Sequence, residues 1–483
     1  MPRLTPTRRA FLASGLAAAA ARPLEARAAG ERVVMNDASR LNPTPVAKHW
    51  RPASDPAGAY VEALRAELKD AAASGRRVAV GAARHSMGGQ SLPRDGTAIT
   101  FDRPWFDIDT ANSLYRVSAG ARWAEIIAKL DPLGFSPKVM QSNNDFGVAS
   151  TFCINAHGWP VPFGPFGSTV RALRLMLADG SIVECSREKN AELFSLAMGG
   201  YGLFGIILDL DVEMAKNVLL APTFEIMPAE AFADRFIAVA EKDPSVLMAY
   251  GRLSVARATF FDQALMITYR AAAEQPAILP AATNGGALTW LLNDIYREQI
   301  GSEAAKRARW YAETRVNPNL GSGVATRNSL MNEPVSNLRN PYRARTDILH
   351  EYFAPPDRFR EFLAACREII PPAKAEFLNV TLRYVAADET ALMAFAPKAR
   401  IAAVMSFSQE MSPEGEVDMI ETTERLIDRV VALGGAFYLP YRLHARRDQI
   451  EKAYPNVARF IERKRVYDPK LLFRNTMWDV YFG

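Results

Sequence analysis

From Ala59 to Ser74 the apolar positions Val61, Leu64, Leu68 and Ala72 recur at three- and four-residue intervals, which predicts a helix with one buried face. Gly75 stands where a C-terminal cap belongs. The next run, Arg76-Arg77-Val78-Ala79-Val80, alternates like a strand and enters Gly81-Ala82-Ala83-Arg84-His85-Ser86-Met87-Gly88-Gly89-Gln90, a loop dominated by small residues. Short strands are expected at 98–101 and 114–117, then a helix from Trp123 to Leu130. Leu173–Leu177 and Ile182–Cys185 read as two strands joined by Asp179-Gly180, a strong hairpin turn. A helix from Ala191 to Met198 leads into the glycine-rich run 199–205 and the strand 206–212. Mixed strands and helices of this kind predict an α+β domain over 45–215. Residues 216–435 alternate helical stretches and strands, with a less regular region at 317–340, and fit a second α+β domain. The segment 436–483, rich in aromatics and turn signals, is expected to return to the first domain.

A length of 483 residues exceeds what one hydrophobic core usually serves, which agrees with two domains. Residues 1–28 stand outside this pattern. Thr7-Arg8-Arg9-Ala10-Phe11-Leu12 precedes a run of small residues, and Ala26-Arg27-Ala28 offers a cleavage site, as in a twin-arginine export signal. The expected location is therefore periplasmic or secreted, with the twin-arginine export machinery as a partner. The signal also carries most of the charge: Arg3, Arg8, Arg9, Arg22 and Arg27 against Glu25 leave a net four of the formal +5. What remains is close to neutral and lacks a basic cluster interleaved with aromatics, so nucleic acid is not an expected partner. Cys153, Cys185 and Cys366 are too few and too scattered for a metal site or a disulfide framework, and read as small buried residues. Twin-arginine export carries folded proteins, a first hint of a cofactor acquired before export.

The chemistry concentrates in the loop 81–90. A strand that enters a run of small residues lets several backbone N–H groups converge on one anion. Gly81 and Gly88 do not reproduce the Rossmann spacing, which disfavours a nicotinamide cofactor. On the residues alone a phosphate cradle and a tight surface turn are both open.

His85-Ser86-Met87-Gly88-Gly89-Gln90 resembles the Gly-x-Gly-His-Ser-x-x-Gly-Gln segment of cytokinin dehydrogenases, members of the vanillyl-alcohol-oxidase-like family of FAD-linked oxidases. Residues 185–194 and 199–207 are similar to a second family segment, and Gly147 to Gly158 looks like the family's second cofactor loop. Tyr438-Leu439-Pro440-Tyr441 and 464–470 resemble cytokinin dehydrogenases; 434–473 and Glu351-Tyr352-Phe353-Ala354-Pro355-Pro356 resemble sugar-lactone oxidases, such as those of D-arabinono-1,4-lactone, and decaprenylphosphoryl-ribose oxidases equally well.

The resemblance implies a two-subdomain PCMH-type FAD-binding domain with an α+β substrate cap. It implies FAD, with or without a covalent bond from His85. The implied cofactor-binding residues are Gly81, Ala82, Ala83, Arg84, His85, Ser86, Gly89 and Gln90 in the first loop. In the second loop they are Gly147, Ser150, Thr151, Asn155, His157 and Gly158, with His157 supporting the turn. Gly205, Ile206 and Ile207 are implied at the adenine, and Tyr438 at the flavin. The aspartate that serves cytokinin dehydrogenases as base falls on Ser142, a poor base, with Asp145 nearby. The lysine of the decaprenylphosphoryl-ribose oxidases falls on Tyr441, beside Arg442 and His444; a tyrosine near a cation can donate a hydrogen bond, act as a base, or merely pack. Ser142, Asp145, Tyr441, Arg442 and His444 are thus the catalytic candidates. His49 and His350 read as surface or packing residues.

These expectations describe an FAD enzyme that removes a hydride from a carbon bearing an alcohol or amine. Its small-molecule substrate is a sugar, sugar lactone or polyol, and its electron acceptor is oxygen, a quinone or a cytochrome. Cytokinin-like amine oxidation and a non-catalytic flavin-binding protein are the alternatives.

Overall fold

A computed structural model describes residues 33–54, 58–284, 289–319, 323–338 and 340–483. The expected export signal over 1–28 lies outside the described residues. The helix Ala59–Ala73 buries Val61, Leu64, Leu68 and Ala71, and Gly75 takes the left-handed conformation (φ 66°) that lets the chain leave it. Lys48–Trp50, Thr97–Ile99 and Val78–Val80 form a parallel three-stranded sheet in that order. The strand before the small-residue loop is gripped on its other edge as well: Val78 N–H donates to the Leu472 carbonyl at 2.7 Å and Arg474 N–H to the Val78 carbonyl at 3.3 Å.

An antiparallel sheet runs in the order Ile182–Ser186, Val170–Met176, Ile206–Lys216, Leu114–Ser118, Phe106–Asp109. The hairpin at Asp179-Gly180 forms as expected: Gly180 has φ 83° and the Asp179 carboxylate accepts from Ser181 N–H at 2.9 Å. The helices Trp123–Leu130 and Ala191–Ala197 sit at their expected places. Trp123, Phe152, Phe166 and Leu210 are buried in one hydrophobic cluster with Leu64 and Val78. Burying a side chain such as Phe152 contributes about 1.5–3 kcal/mol.

The strand Ile206–Lys216 leads into Leu219–Pro228, which belongs to a larger sheet. Among the described residues its order is Ala325–Thr326, Leu219–Pro228, Gln263–Ala271, Val246–Leu253, Glu376–Val385, Arg400–Glu410, Arg345–Ala354, Ala436–Phe437. The helix Pro413–Ala432 covers one of its faces, and Phe353, Phe407 and Leu426 are buried in a second cluster with Trp478 and Phe482. The irregular stretch after Asn317 contains the helix Arg327–Met331, whose buried Asn328 donates to Asp131 at 2.7 Å and to the Phe135 carbonyl at 2.8 Å.

Residues 464–473 anchor the segment that borders Val78. Lys464 and Asp468 form a buried ion pair, and the Asp468 carboxylate also accepts from Leu472 N–H at 2.9 Å and Phe473 N–H at 2.8 Å. Cys185 and Cys366 are buried, as expected; Cys153 is not, because the short helix Val148–Cys153 ends against an open cleft.

Candidate cofactor and substrate site

Gly81 makes the last sheet hydrogen bond of its strand, to the Ile99 carbonyl at 2.9 Å, and the chain then turns away. Among the described residues no hydrogen bond takes up the amides of Ala82, Ala83, Arg84, His85 or Ser86. Five successive N–H groups are thus left for an anion. The rest of the loop is pinned. Met87 N–H donates to the Pro440 carbonyl at 2.8 Å, the Gln90 side chain accepts from Gly88 N–H at 3.0 Å and donates to the Leu439 carbonyl at 2.9 Å, and Gly89 N–H donates to Asp37 at 3.0 Å. A side chain at Gly88 would place its Cβ 2.5 Å from the Tyr441 carbonyl oxygen.

Residues 81–86 wall an open cleft. Across it stand Gly120, Gly147, Ser150, Gly202, Gly205 and Ile207. Gly147 abuts the first loop, for a Cβ there would lie 2.6 Å from that of Ala82. At one end the cleft meets a second cavity; His85, Ser86, Phe146 and Ile154 line both. The His85 ring packs on Phe146 with centroids 4.4 Å apart, and its Nε2 lies 2.9 Å from Asp145 Oδ2. Burial alone would raise the Asp145 carboxyl, but hydrogen bonds from His85 and from Val335 N–H outweigh it and hold the group below its usual range.

Several expected cofactor contacts face elsewhere. Thr151 accepts from Trp123 Nε1 at 2.9 Å, and Asn155 bridges Asp388 at 2.7 Å and Gly167 N–H at 2.9 Å; both are buried and lie outside the cleft lining. Gly158 is a packing glycine pressed on the Met140 carbonyl, and Ile206 lies within the ladder opposite Met176, leaving Gly205 and Ile207 at the cleft. His157 and Tyr438 line the second cavity, with the Tyr438 hydroxyl donating to the Ile154 carbonyl at 2.7 Å.

The second cavity holds a polar centre that sequence reasoning missed. Glu351, from Arg345–Ala354, is buried, contacts His157 Nε2 through Oε1, and accepts from the Tyr441 hydroxyl at 3.2 Å through Oε2. Arg383, from Glu376–Val385, donates to Ser142 Oγ and, at 3.2 Å, to the His157 carbonyl. Strand alternation was the available signal: Leu349 and Glu351 face the cavity, while His350 faces the covering helix, where its Nε2 lies 3.2 Å from Thr423 Oγ1.

Two catalytic candidates, Arg442 and His444, are corrected by this geometry. The Tyr441 hydroxyl donates to Glu351, one of the roles expected for it, and burial, reinforced by the Glu351 charge, raises its phenol well above its ordinary pKa despite Arg383. Arg442 and His444 point away from the cavity, because Glu416 on the helix Pro413–Ala432 holds both; His444 Nε2 lies 2.9 Å from it. Burial would raise the Glu416 carboxyl, but hydrogen bonds from His444, Gln409 and Arg442 keep it well below its usual range. Ser142 lines the cavity as the acceptor for Arg383, and Asp145 sits behind His85.

Residues 59–186 match a family model described as an FAD binding domain. Over these residues, about a quarter of its length, the chain is similar to the FAD-binding domains of FAD-linked oxidoreductases. It is 29% identical over 178 residues to cytokinin dehydrogenase 3 of Oryza sativa subsp. japonica, covering 35% of this chain and 33% of that protein. It is 32% identical over 158 residues to alditol oxidase of Streptomyces sp., covering 32% and 38%, and 28% identical over 116 residues to L-gulonolactone oxidase of Bos taurus, covering 24% and 26%. The chain matches well under half the length of these curated relatives. The mixed helix and sheet architecture agrees with the expected α+β fold. The residues present fit FAD: a cleft walled by small side chains, five amides without acceptors, and a buried, unpartnered Arg84 Nε.

Proposed function

We propose that this chain is an exported FAD-dependent oxidoreductase that oxidises an alcohol carbon of a sugar, sugar lactone or polyol. The observation that carries the reading is the meeting of the two cavities at His85 and Ser86, with Glu351 and Arg383 lining the second. Residues 45–215 would hold the cofactor, 216–435 cap the substrate, and 436–483 complete both sites. Bound FAD supplies a two-electron acceptor for a hydride. Glu351 accepts the hydroxyl proton of the substrate. Arg383, beside it, orients that oxygen and stabilises negative charge developing there. Tyr441 holds the Glu351 carboxylate in place, and Tyr438 walls the junction. The electron acceptor would be oxygen, a quinone or a cytochrome.

His85 is the proposed covalent anchor. Its Nε2 is engaged by Asp145, which leaves Nδ1 for the flavin. One preparation tests both claims. The yellow protein is expected to bleach anaerobically with at least one member of a panel of alditols, sugars and sugar lactones; a panel that leaves the spectrum unchanged argues against the substrate class. Acid precipitation is then expected to leave flavin in the wild-type pellet and release it from His85→Ala, whereas flavin released from wild type sinks the covalent bond. Export rests on Arg8 and Arg9, and unchanged export of Arg8→Lys/Arg9→Lys would refute it.

A further inference from the structure

The cofactor loop carries a charge that its small-residue character does not require. Arg84 has φ 58°, the left-handed region where glycine fits more easily and other side chains are strained. Its guanidinium is largely buried. Nη2 donates to Thr100 Oγ1 at 2.7 Å, Nη1 reaches the Ala82 carbonyl at only 3.5 Å, and Nε has no partner. Among the described residues no carboxylate lies within 4.0 Å of it, and the same holds for Arg122, which also lines the cleft and donates to the Asp145 carbonyl at 2.9 Å. The acidic groups nearby are already committed: Asp102 to Arg51, Asp145 to His85, and Glu125 to the Arg122 amide. Among the described residues no aspartate or glutamate lines the cleft.

A buried guanidinium without a counter-charge is costly unless a ligand supplies one. The consequence is visible at Arg84, where burial, with the like charges of Arg122 and Arg51, lowers the pKa to about 10. The five free amides beside it point to the same ligand, since a nest of N–H groups offers partial charge and hydrogen bonds but no full countercharge.

We propose that Arg84, with Arg122 as the second cation, is the charge partner of the FAD diphosphate. The assignment rests on the FAD reading above. Arg84 thereby makes this cradle depend on full charge as well as on backbone amides, and selects for a cofactor that carries two linked phosphates.

The test uses the full chain with His85→Ala, stripped of flavin, titrated with FAD, ADP and adenosine. Arg84→Met is expected to weaken ADP and FAD by about tenfold to a hundredfold, the scale of a charge-assisted hydrogen bond, and to leave adenosine unchanged. The salt dependence of ADP binding should flatten, and Arg84→Lys should recover part of the affinity. Should Arg84→Met melt early, Arg84→Gln, which keeps a donor for Thr100 without the charge, carries the same expectation. Equal ADP affinity with and without the arginine overturns the assignment and leaves the FAD reading intact. A parent that binds neither FAD nor ADP overturns the FAD reading, and this assignment with it.

Discussion

Glu351→Gln is expected to slow anaerobic flavin reduction by about 10²–10⁴-fold, the range for removing a positioned general base. The substitution keeps the shape of the side chain and one acceptor oxygen for His157 or Tyr441, and removes the charge and the ability to take a proton. Flavin content should not change, because Glu351 lines the second cavity and not the cofactor cleft. Stopped-flow bleaching by a substrate found in the panel measures the effect. A reduction rate equal to that of wild type would remove Glu351 from the chemistry and turn attention to Glu333, the other carboxylate that lines the second cavity, and to Asp145 behind His85.

Asp468→Ala is expected to cost about 3–5 kcal/mol of stability, because it leaves the buried Lys464 ammonium unpaired. It also strips the Leu472 and Phe473 amides of their acceptor. Burial lowers the Lys464 pKa to about 8, against the pull of Asp468. The folded value therefore lies below the ordinary lysine value of about 10.4, so the folded state is penalised as pH falls through 8 and relieved as pH rises past the unfolded value. Without Asp468 the folded value drops further. The deficit should thus be largest near or below neutral pH and shrink in alkali. Urea unfolding across that range measures it, and a deficit independent of pH would assign the loss to the two amides instead.

The sequence made the helices Ala59–Ala73 and Trp123–Leu130, the Asp179-Gly180 hairpin and the small-residue loop legible, since each is written in a local period or turn residue. The substrate side was harder for a physical reason. Alternation along Arg345–Ala354 separates two faces but does not say which one borders a cavity, and Glu351 meets Arg383 only through pairing with an intervening strand. Arg442 and His444 were candidates because they neighbour Tyr441 in sequence, yet the direction of a loop side chain is set by what clamps it, here Glu416. Cys153 reads like the other cysteines, and only the end of its short helix reveals that it borders a cleft.

The strand Val78–Val80 has one neighbour close in sequence and another at residues 472–474. On the ribosome the cofactor loop is therefore made early but held on both sides only after residue 474 has emerged. Helices and hairpins can form during synthesis; the flavin's seat has to wait for a closure that spans nearly four hundred residues. Flavin loading thus reports on completed translation, and a chain cut short before that point would be expected to leave the ribosome colourless.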